Sequence, residues 1–109
     1  MGEVVIVCGG RNYRDKASLY EFMDSLDPIS TVVTGAARGA DLMADEWAQD
    51  RLLSRVIVPA NWDGEGRGAG FSRNERMIRL IQPIHRVAAF PGGNGTQHMI
   101  RTARDRNVR

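Results

Sequence analysis

Cysteine is nearly absent from this chain, which carries a single one, Cys8, among its 109 residues. An internal disulfide is therefore excluded, and the apolar strand pattern around Cys8 predicts a small buried side chain rather than a nucleophile. The sequence also lacks a long apolar run and a basic-then-apolar N-terminus, the features of a membrane span and an export signal. We therefore expect a cytoplasmic protein that makes no contact with membranes.

The signatures of several catalytic classes are missing as well. His85 and His98 have no companion cysteine or acidic cluster at ligand spacing, so we expect no metal. No serine, histidine and acid arrangement for acyl transfer can be picked out, and no lysine follows a glycine as in a P-loop. Repeats and interdomain linkers are lacking too, so residues 1–109 are expected to form one domain.

Positive charge is scarce in the first two thirds of the chain and frequent in the last third. Residues 1–72 carry seven Lys or Arg against eleven Asp or Glu, whereas residues 73–109 carry eight against two. The basic end surrounds the last glycine turn. Such an asymmetry has two interpretations. It indicates a surface that attracts an anionic ligand or nucleic acid, or, more commonly, a solvated basic face.

Short apolar runs alternate with helical patterns. The runs at 4–8, 31–34, 55–58 and 87–90 predict buried strands, and the segments between them mostly repeat apolar residues at intervals of three and four. This alternation predicts right-handed crossovers and a parallel sheet covered on both faces. We expect an α/β fold, a three-layer Rossmann-like doubly wound sheet of four or five strands in the order 3-2-1-4-5. A fifth strand would begin at 107–109.

Three of the predicted strands end in glycine-rich turns. Strand ends of one polarity lie along one edge of a parallel sheet, so these turns are expected to converge on one cleft. Glycines leave backbone N–H groups bare beside the positive starts of helices, which suits a phosphate. The sequence therefore predicts a nucleotide pocket. The turns read Gly9-Gly10-Arg11, Gly35-Ala36-Ala37-Arg38-Gly39 and Pro91-Gly92-Gly93-Asn94-Gly95-Thr96.

The last of these turns is the most specific. Asn94-Gly95 alone would be an ordinary tight-turn dipeptide, but a helical pattern follows, which favours a phosphate cradle with a hydroxyl at Thr96. Asp41, in the first turn of a predicted helix, either stabilises the helix dipole or orients a ribose or base. We expect the phosphate to be held by Gly92, Gly93, Gly95 and Thr96. We expect the floor to be lined by Gly9, Gly10, Gly35 and Gly39, and charge to come from Arg11, Arg38 and Arg73.

The irregular stretch 59–71 holds four glycines in seven residues and runs into Arg73 at the head of a predicted helix. It is a candidate lid or a surface connection. Trp62 within it either stacks on a base or packs at the rim.

Taken in order, four segments resemble the YspA branch of the SLOG superfamily over nearly the whole chain. The resemblance implies a Rossmann-like domain that binds a nucleotide, or an NAD- or ADP-ribose-derived ligand, with no further cofactor. It adds Asn74, Pro91 and Asn94 to the candidate ligand contacts. The segments are Val7-Cys8-Gly9-Gly10-Arg11-Asn12-Tyr13, Gly35 to Asp41 leading to Trp47-Ala48, Ala69-Gly70 with Arg73-Asn74 and Met77, and Ala89 to Thr96.

The LOG enzymes of this superfamily read Pro-Gly-Gly-x-Gly-Thr-x-x-Glu, and the resemblance assigns cleavage of an N-glycosidic bond to that glutamate and an upstream arginine. Here Arg73 or Arg76 matches the arginine, but Met99 stands where the glutamate would be. A thioether cannot transfer a proton as a carboxylate does. Asp41 or Glu75 would have to supply the carboxylate, so Asp41, Arg73 and Glu75 are weak catalytic candidates.

The leading hypothesis is thus a module that recognises the phosphate and ribose of a nucleotide. The alternatives are a LOG-like hydrolase of an N-glycosidic bond and a binder of single-stranded DNA resembling the DprA core. Single strands need stacking aromatics along a basic groove, and we expect Phe22 and Phe90 to be committed to the core. Relatives of this fold commonly dimerise beside the pocket, so a homodimer is expected.

Overall fold

The computed structural model describes residues 2–26, 28–35, 39–58, 69–80, 84–92 and 94–105. The segment 59–68, with Trp62, and the predicted fifth strand at 107–109 lie outside this part of the chain. None of the described helices is long and apolar enough to cross a lipid bilayer. The described elements, in chain order, are β1 (Glu3–Cys8), α1 (Lys16–Ser25), β2 (Ile29–Thr34), α2 (Ala40–Asp50), β3 (Ser54–Ile57), α3 (Ala69–Leu80), β4 (Arg86–Ala89) and α4 (Asn94–Asp105).

The described strands form one parallel sheet in the order β3-β2-β1-β4. β1 lies inside the sheet, with Val5 opposite Val32 of β2 and Arg86 of β4. β2 continues to β3, where Thr34 is opposite Ile57. The predicted α/β, doubly wound fold is confirmed, together with its order through the first four strands.

Successive side chains of β1 enter two different cores, because neighbouring residues of a strand point to opposite faces of the sheet. Val5 and Val7 pack with α1 and α2, whereas Ile6 packs with α3 and α4. All three side chains are fully buried. The helices therefore cover both faces, and the chain leaves β1 and β4 toward opposite sides. In such sheets a crevice forms between the carboxyl ends of those two strands.

Two helices begin earlier than the sequence pattern indicates. α3 begins at Ala69, so Ala69–Phe71 are helical and Arg73 lies in the second turn rather than at the head of the helix. α4 begins at Asn94 instead of Thr96. Glycine near a helix start costs only about 1 kcal/mol relative to alanine, which packing of α3 against α4 outweighs.

Phe22 corrects another expectation. It was predicted to belong to the core, but its side chain is 44% exposed. Its ring contacts that of Phe90 edge to face, with centroids 5.6 Å apart. The helical pattern placed Phe22 on the correct side of α1, but that position lies at the margin of the face that the sheet covers.

A polar contact joins α1 to α2 at the ends remote from the glycine turns. Asp24 of α1 accepts hydrogen bonds from Trp47 Nε1 at 3.0 Å and from Arg51 Nε at 2.8 Å. Arg51 Nη2 donates to the second carboxylate oxygen at 2.8 Å. The hydrogen bond from Arg51, followed by that from Trp47, lowers the pKa of Asp24 below its ordinary value of 3.8.

This shift predicts an acid-dependent stability. Because the folded-state pKa of Asp24 is depressed, its contribution is present above the unfolded pKa and is lost as the pH falls through the folded value. We expect Asp24→Asn to be less stable than the wild type at about pH 7, and the difference to shrink steadily below about pH 4. Urea unfolding at several pH values measures this. Asp105→Asn, at the exposed end of α4, is the control, and a difference independent of pH would contradict the assignment.

Candidate functional site

The peptide groups of Gly10 connect the ends of three elements. The Gly10 N–H donates to the carbonyl of Pro91 at 2.8 Å, which joins the turn after β1 to the turn after β4. The Gly10 carbonyl accepts from the N–H of Ala40 at 3.3 Å, at the start of α2, and from the N–H of Tyr13 at 3.2 Å. The glycine turns that follow β1, β2 and β4 therefore meet at one edge of the sheet.

These contacts are so close that side chains cannot enter them. Gly39 has a φ of +78°, a conformation that L side chains rarely adopt, and a Cβ there would collide with the carbonyl oxygen of Gly10. A Cβ on Gly92 would collide with Thr96 Oγ1 and would lie 2.6 Å from the Gly10 nitrogen. The glycines at 39 and 92 are thus required by packing of backbone on backbone, whatever the turns bind.

A cleft of about 480 Å³ opens between the β1–α1 loop and the turn after β4. It lies at the crevice where the chain leaves two neighbouring parallel strands toward opposite faces, the usual ligand position in doubly wound sheets. Its volume falls in the range of small-molecule sites. We call it the switch-point cleft. Its lining residues are Gly10, Arg11, Asn12, Tyr13, Arg14, Asp15, Pro91 and Gly92.

The predicted site residues fall into four groups. Gly10, Arg11, Pro91 and Gly92 line the switch-point cleft. Thr96 is 6% exposed in the first turn of α4, with its hydroxyl beside Gly92, and Asn94 and Gly95 are the first two residues of that helix. Arg38 and Gly93 lie outside the described residues. The remaining predicted residues are Gly9, Gly35 and Gly39, which belong to the turns themselves, and Asp41, Arg73 and Asn74, which are joined to Gly35 directly or through Arg73.

Asp41 and Arg73 hold Gly35 between them. The Gly35 N–H donates to Asp41 Oδ2 at 3.1 Å, and its carbonyl accepts from Arg73 Nη1 at 3.1 Å. Asp41 is 5% exposed. A carboxylate from α2 and a guanidinium from α3 therefore fasten the turn that follows β2, through the N–H and the carbonyl of one residue.

A chain of hydrogen bonds continues from Arg73 to α4. Arg73 Nε donates to Asn74 Oδ1 at 3.1 Å, which fixes the orientation of the amide, and Asn74 Nδ2 lies 3.2 Å from His98 Nδ1. An amide nitrogen only donates, so His98 Nδ1 is the acceptor. Asn74 is 4% exposed. This contact explains why a histidine and an asparagine occupy the interface between two amphipathic helices.

The electrostatics at this edge are dominated by burial and by clustered arginines. Burial lowers the pKa of Arg73, the charge of Asp41 opposes that shift, and the charges of Arg11 and Arg76 add to it. The guanidinium groups of Arg11 and Arg76 therefore lie within electrostatic range of Arg73. Burial, and then the charge of Asp41, raises the pKa of the Cys8 thiol to about 12. Cys8 is therefore a protonated thiol at neutral pH and not a nucleophile.

Glu75, the third weak catalytic candidate, is half-buried on α3. Residues two apart on a helix do not face each other, so Glu75 does not share the face on which Arg73 contacts Gly35. In the described ranges, no group of three or more His, Cys, Asp or Glu side chains could hold a metal ion.

Met99 lies in the core and not at the cleft. Its side chain is fully buried and packs in the cluster that contains Ile6, Val33 and Met77. Met99 occupies the position of the glutamate in the LOG pattern. In this chain that side chain therefore lies in an apolar layer between the sheet and α4.

The sequence patterns missed part of the cleft. Asn12, Tyr13, Arg14 and Asp15 line it, although only glycines and Arg11 were predicted from this loop. A usable signal was present, since Asn12 and Tyr13 directly follow the first glycine turn. A loop lining a cleft from several successive residues has no periodicity, so composition alone did not reveal it.

The fold and cleft define a class: a doubly wound α/β domain with backbone-walled glycine turns at its switch point. The family model described as YAcAr, the YspA, cpYpsA-related SLOG family, matches residues 3–64. The chain belongs to this family, which confirms the resemblance drawn from its motifs. Family membership supports a nucleotide-related binding or modifying module.

The chain is also 34% identical to the Gene 61 protein of Mycobacterium phage D29, over an alignment of 115 residues. This alignment covers 95% of the chain and 90% of the relative, so it extends past the region matched by the family model. No solved structure gives a significant match.

The burial of Met99 predicts the effect of introducing the LOG glutamate at this position. Met99→Glu places a carboxylate in an apolar cluster without a partner, and we expect it to lower the free energy of unfolding by about 3 kcal/mol or more. It should not create release of base from nucleotides. Chemical denaturation and chromatography of released base measure the two effects. Gln97→Glu, exposed on the same helix, is the control; a stable, active Met99→Glu variant would contradict this placement.

The Asp41–Gly35–Arg73 contact predicts a second effect. Asp41→Asn removes the charge that favours the ionised Arg73, and we expect a loss of about 2 to 3 kcal/mol in unfolding free energy. Asp50→Asn, at the exposed end of the same helix, should cost well under half as much. Equal losses in urea denaturation would show that the contact has no special role.

Proposed function

We propose that this chain is a nucleotide-binding module whose switch-point cleft receives the phosphate and ribose of a nucleotide or of an NAD- or ADP-ribose-derived ligand. The observation that carries the proposal is the meeting of the three glycine turns at Gly10. Two of these turns, those after β1 and β4, bound the cleft, and Thr96 in the first turn of α4 lies beside Gly92. Backbone N–H groups and a helix N-terminus are the elements with which proteins bind phosphate.

The charge distribution supports an anionic ligand. Arg11 and Arg14 are exposed in the loop that lines the cleft, and Arg11 is close enough to Arg73 to influence its pKa. The carboxylate of Asp15, which also lines the cleft, accepts hydrogen bonds from the N–H and hydroxyl of Ser18 and so caps α1. A bound phosphate would relieve the repulsion between the arginines.

Two observations favour binding over hydrolysis of an N-glycosidic bond. Met99 is buried in the core, and one oxygen of the Asp41 carboxylate is engaged by the Gly35 N–H. Neither residue offers a carboxylate to the anomeric carbon of a ribose in the cleft. We therefore propose recognition of the ligand, without cleavage, as the activity of this domain.

The test compares two exposed arginines that carry the same charge. Purified protein is titrated calorimetrically with AMP, ADP-ribose, NAD and a thymidine oligonucleotide. We expect saturable binding of at least one nucleotide, weakened roughly tenfold by Arg11→Ala through loss of a charge-assisted contact. Arg104→Ala, in the last turn of α4, should change the affinity less than about twofold.

Four outcomes would contradict the proposal of recognition without cleavage. One is the absence of saturable binding to every nucleotide, and another is an equal loss for the two arginine variants. The third is salt-dependent retention of the oligonucleotide without binding of mononucleotides, which would favour the DNA-binding alternative. Release of free base during the titration would favour the hydrolase.

A further inference from the structure

One wall of the switch-point cleft is aromatic. Tyr13 lines the cleft and is half-buried, and its ring packs against that of Phe90 with centroids 5.5 Å apart and an angle of 44° between the planes. The other lining side chains of this loop are polar or charged. Among the described residues that line the cleft, Tyr13 therefore presents the one aromatic ring.

The ring of Tyr13 is supported from behind. Phe90 is 8% exposed, and Phe22 contacts it edge to face at 5.6 Å. The Phe90 N–H donates to the carbonyl of Cys8 at 2.9 Å, which extends the pairing of β4 with β1. Because the Tyr13 ring is already held by packing against Phe90, it loses little conformational freedom when a ligand packs against it. A small loss of freedom favours binding.

The backbone of Tyr13 is held by Gly10, the same residue that contacts the turn after β4. Its N–H donates to the carbonyl of Gly10, while the N–H of Gly10 donates to Pro91. The aromatic wall and the backbone-walled turn are thus connected through a single residue, Gly10. A ligand with an anionic group at one end and a planar group at the other matches this arrangement.

The phenol of Tyr13 is neutral at physiological pH, as in an ordinary tyrosine. Burial, and then the negative charge of Asp15, raises the pKa of the Tyr13 phenol above its ordinary value of 10. The side chain therefore offers a neutral ring and a hydroxyl across the physiological pH range, with no charge to repel an anion.

We propose, given the proposed function, that Tyr13 is the base-recognition residue of the cleft. Its ring stacks on the ligand, so the ligand class is a nucleotide that carries a heteroaromatic base and not a simple sugar phosphate. Stacking of a base on an aromatic side chain tolerates different bases, so Tyr13 selects for the presence of a base rather than for its identity.

The test uses two probes that differ only in the base, AMP and ribose 5-phosphate. The wild type should bind AMP at least roughly tenfold more tightly than ribose 5-phosphate, the size expected for one stacked base. Tyr13→Leu should lose most of that preference while its affinity for ribose 5-phosphate stays within about twofold. Tyr13→Phe should keep the preference, because stacking needs the ring and not the hydroxyl.

Tyr20→Leu is the matched control, because Tyr20 lies on α1 near Lys16 and Arg51 and does not line the cleft. It should leave both affinities unchanged. If Tyr13→Leu fails to fold, nuclear Overhauser effects between the adenine protons of AMP and the Tyr13 ring in the wild type provide the test.

The possible failures can be told apart. If neither probe binds and no other nucleotide does, the proposed function itself is wrong. If both probes bind the wild type equally, or if Tyr13→Leu weakens them equally, the cleft binds phosphate and the role of Tyr13 is refuted. Absence of contacts between adenine and the Tyr13 ring, with AMP bound, refutes it as well.

Discussion

The glycine turns at the carboxyl ends of the strands are arranged by one backbone constraint, the peptide hydrogen bonds that Gly10 makes to the turn after β4 and to the start of α2. Its N–H reaches the turn after β4 and its carbonyl reaches the start of α2. Both contacts require main chain to approach main chain without an intervening Cβ, which explains the glycines at 39 and 92. The fold itself therefore requires glycine at positions 39 and 92, whatever the cleft binds.

Two charged side chains, Asp41 and Arg73, hold the turn after β2 in place. Asp41 accepts from the N–H of Gly35 and Arg73 donates to its carbonyl, and Asn74 extends the contacts to His98. The turn after β2 is thus fastened to α2 on one face of the sheet and to α3 on the other.

The sequence predicted the architecture well because strand and helix periods differ and alternate regularly here. It predicted the convergence of the glycine turns because parallel strands share an edge. It was less successful at the boundaries of α3 and α4, where glycine preferences favour a loop but packing of the two helices prevails. It also misjudged Phe22, since periodicity shows which side of a helix is apolar but not how far the sheet beneath it extends.

By itself, the sequence determined that the chain forms a doubly wound parallel sheet with glycine turns after its strands, since local periodicity and turn chemistry carry that information. Only the tertiary structure decided that Tyr13 lines the cleft, that Met99 faces the core and that Arg73 reaches Gly35. Each of these depends on strand register and on the direction in which a helix crosses the sheet. Those quantities arise from packing between residues distant in the chain and have no local signature.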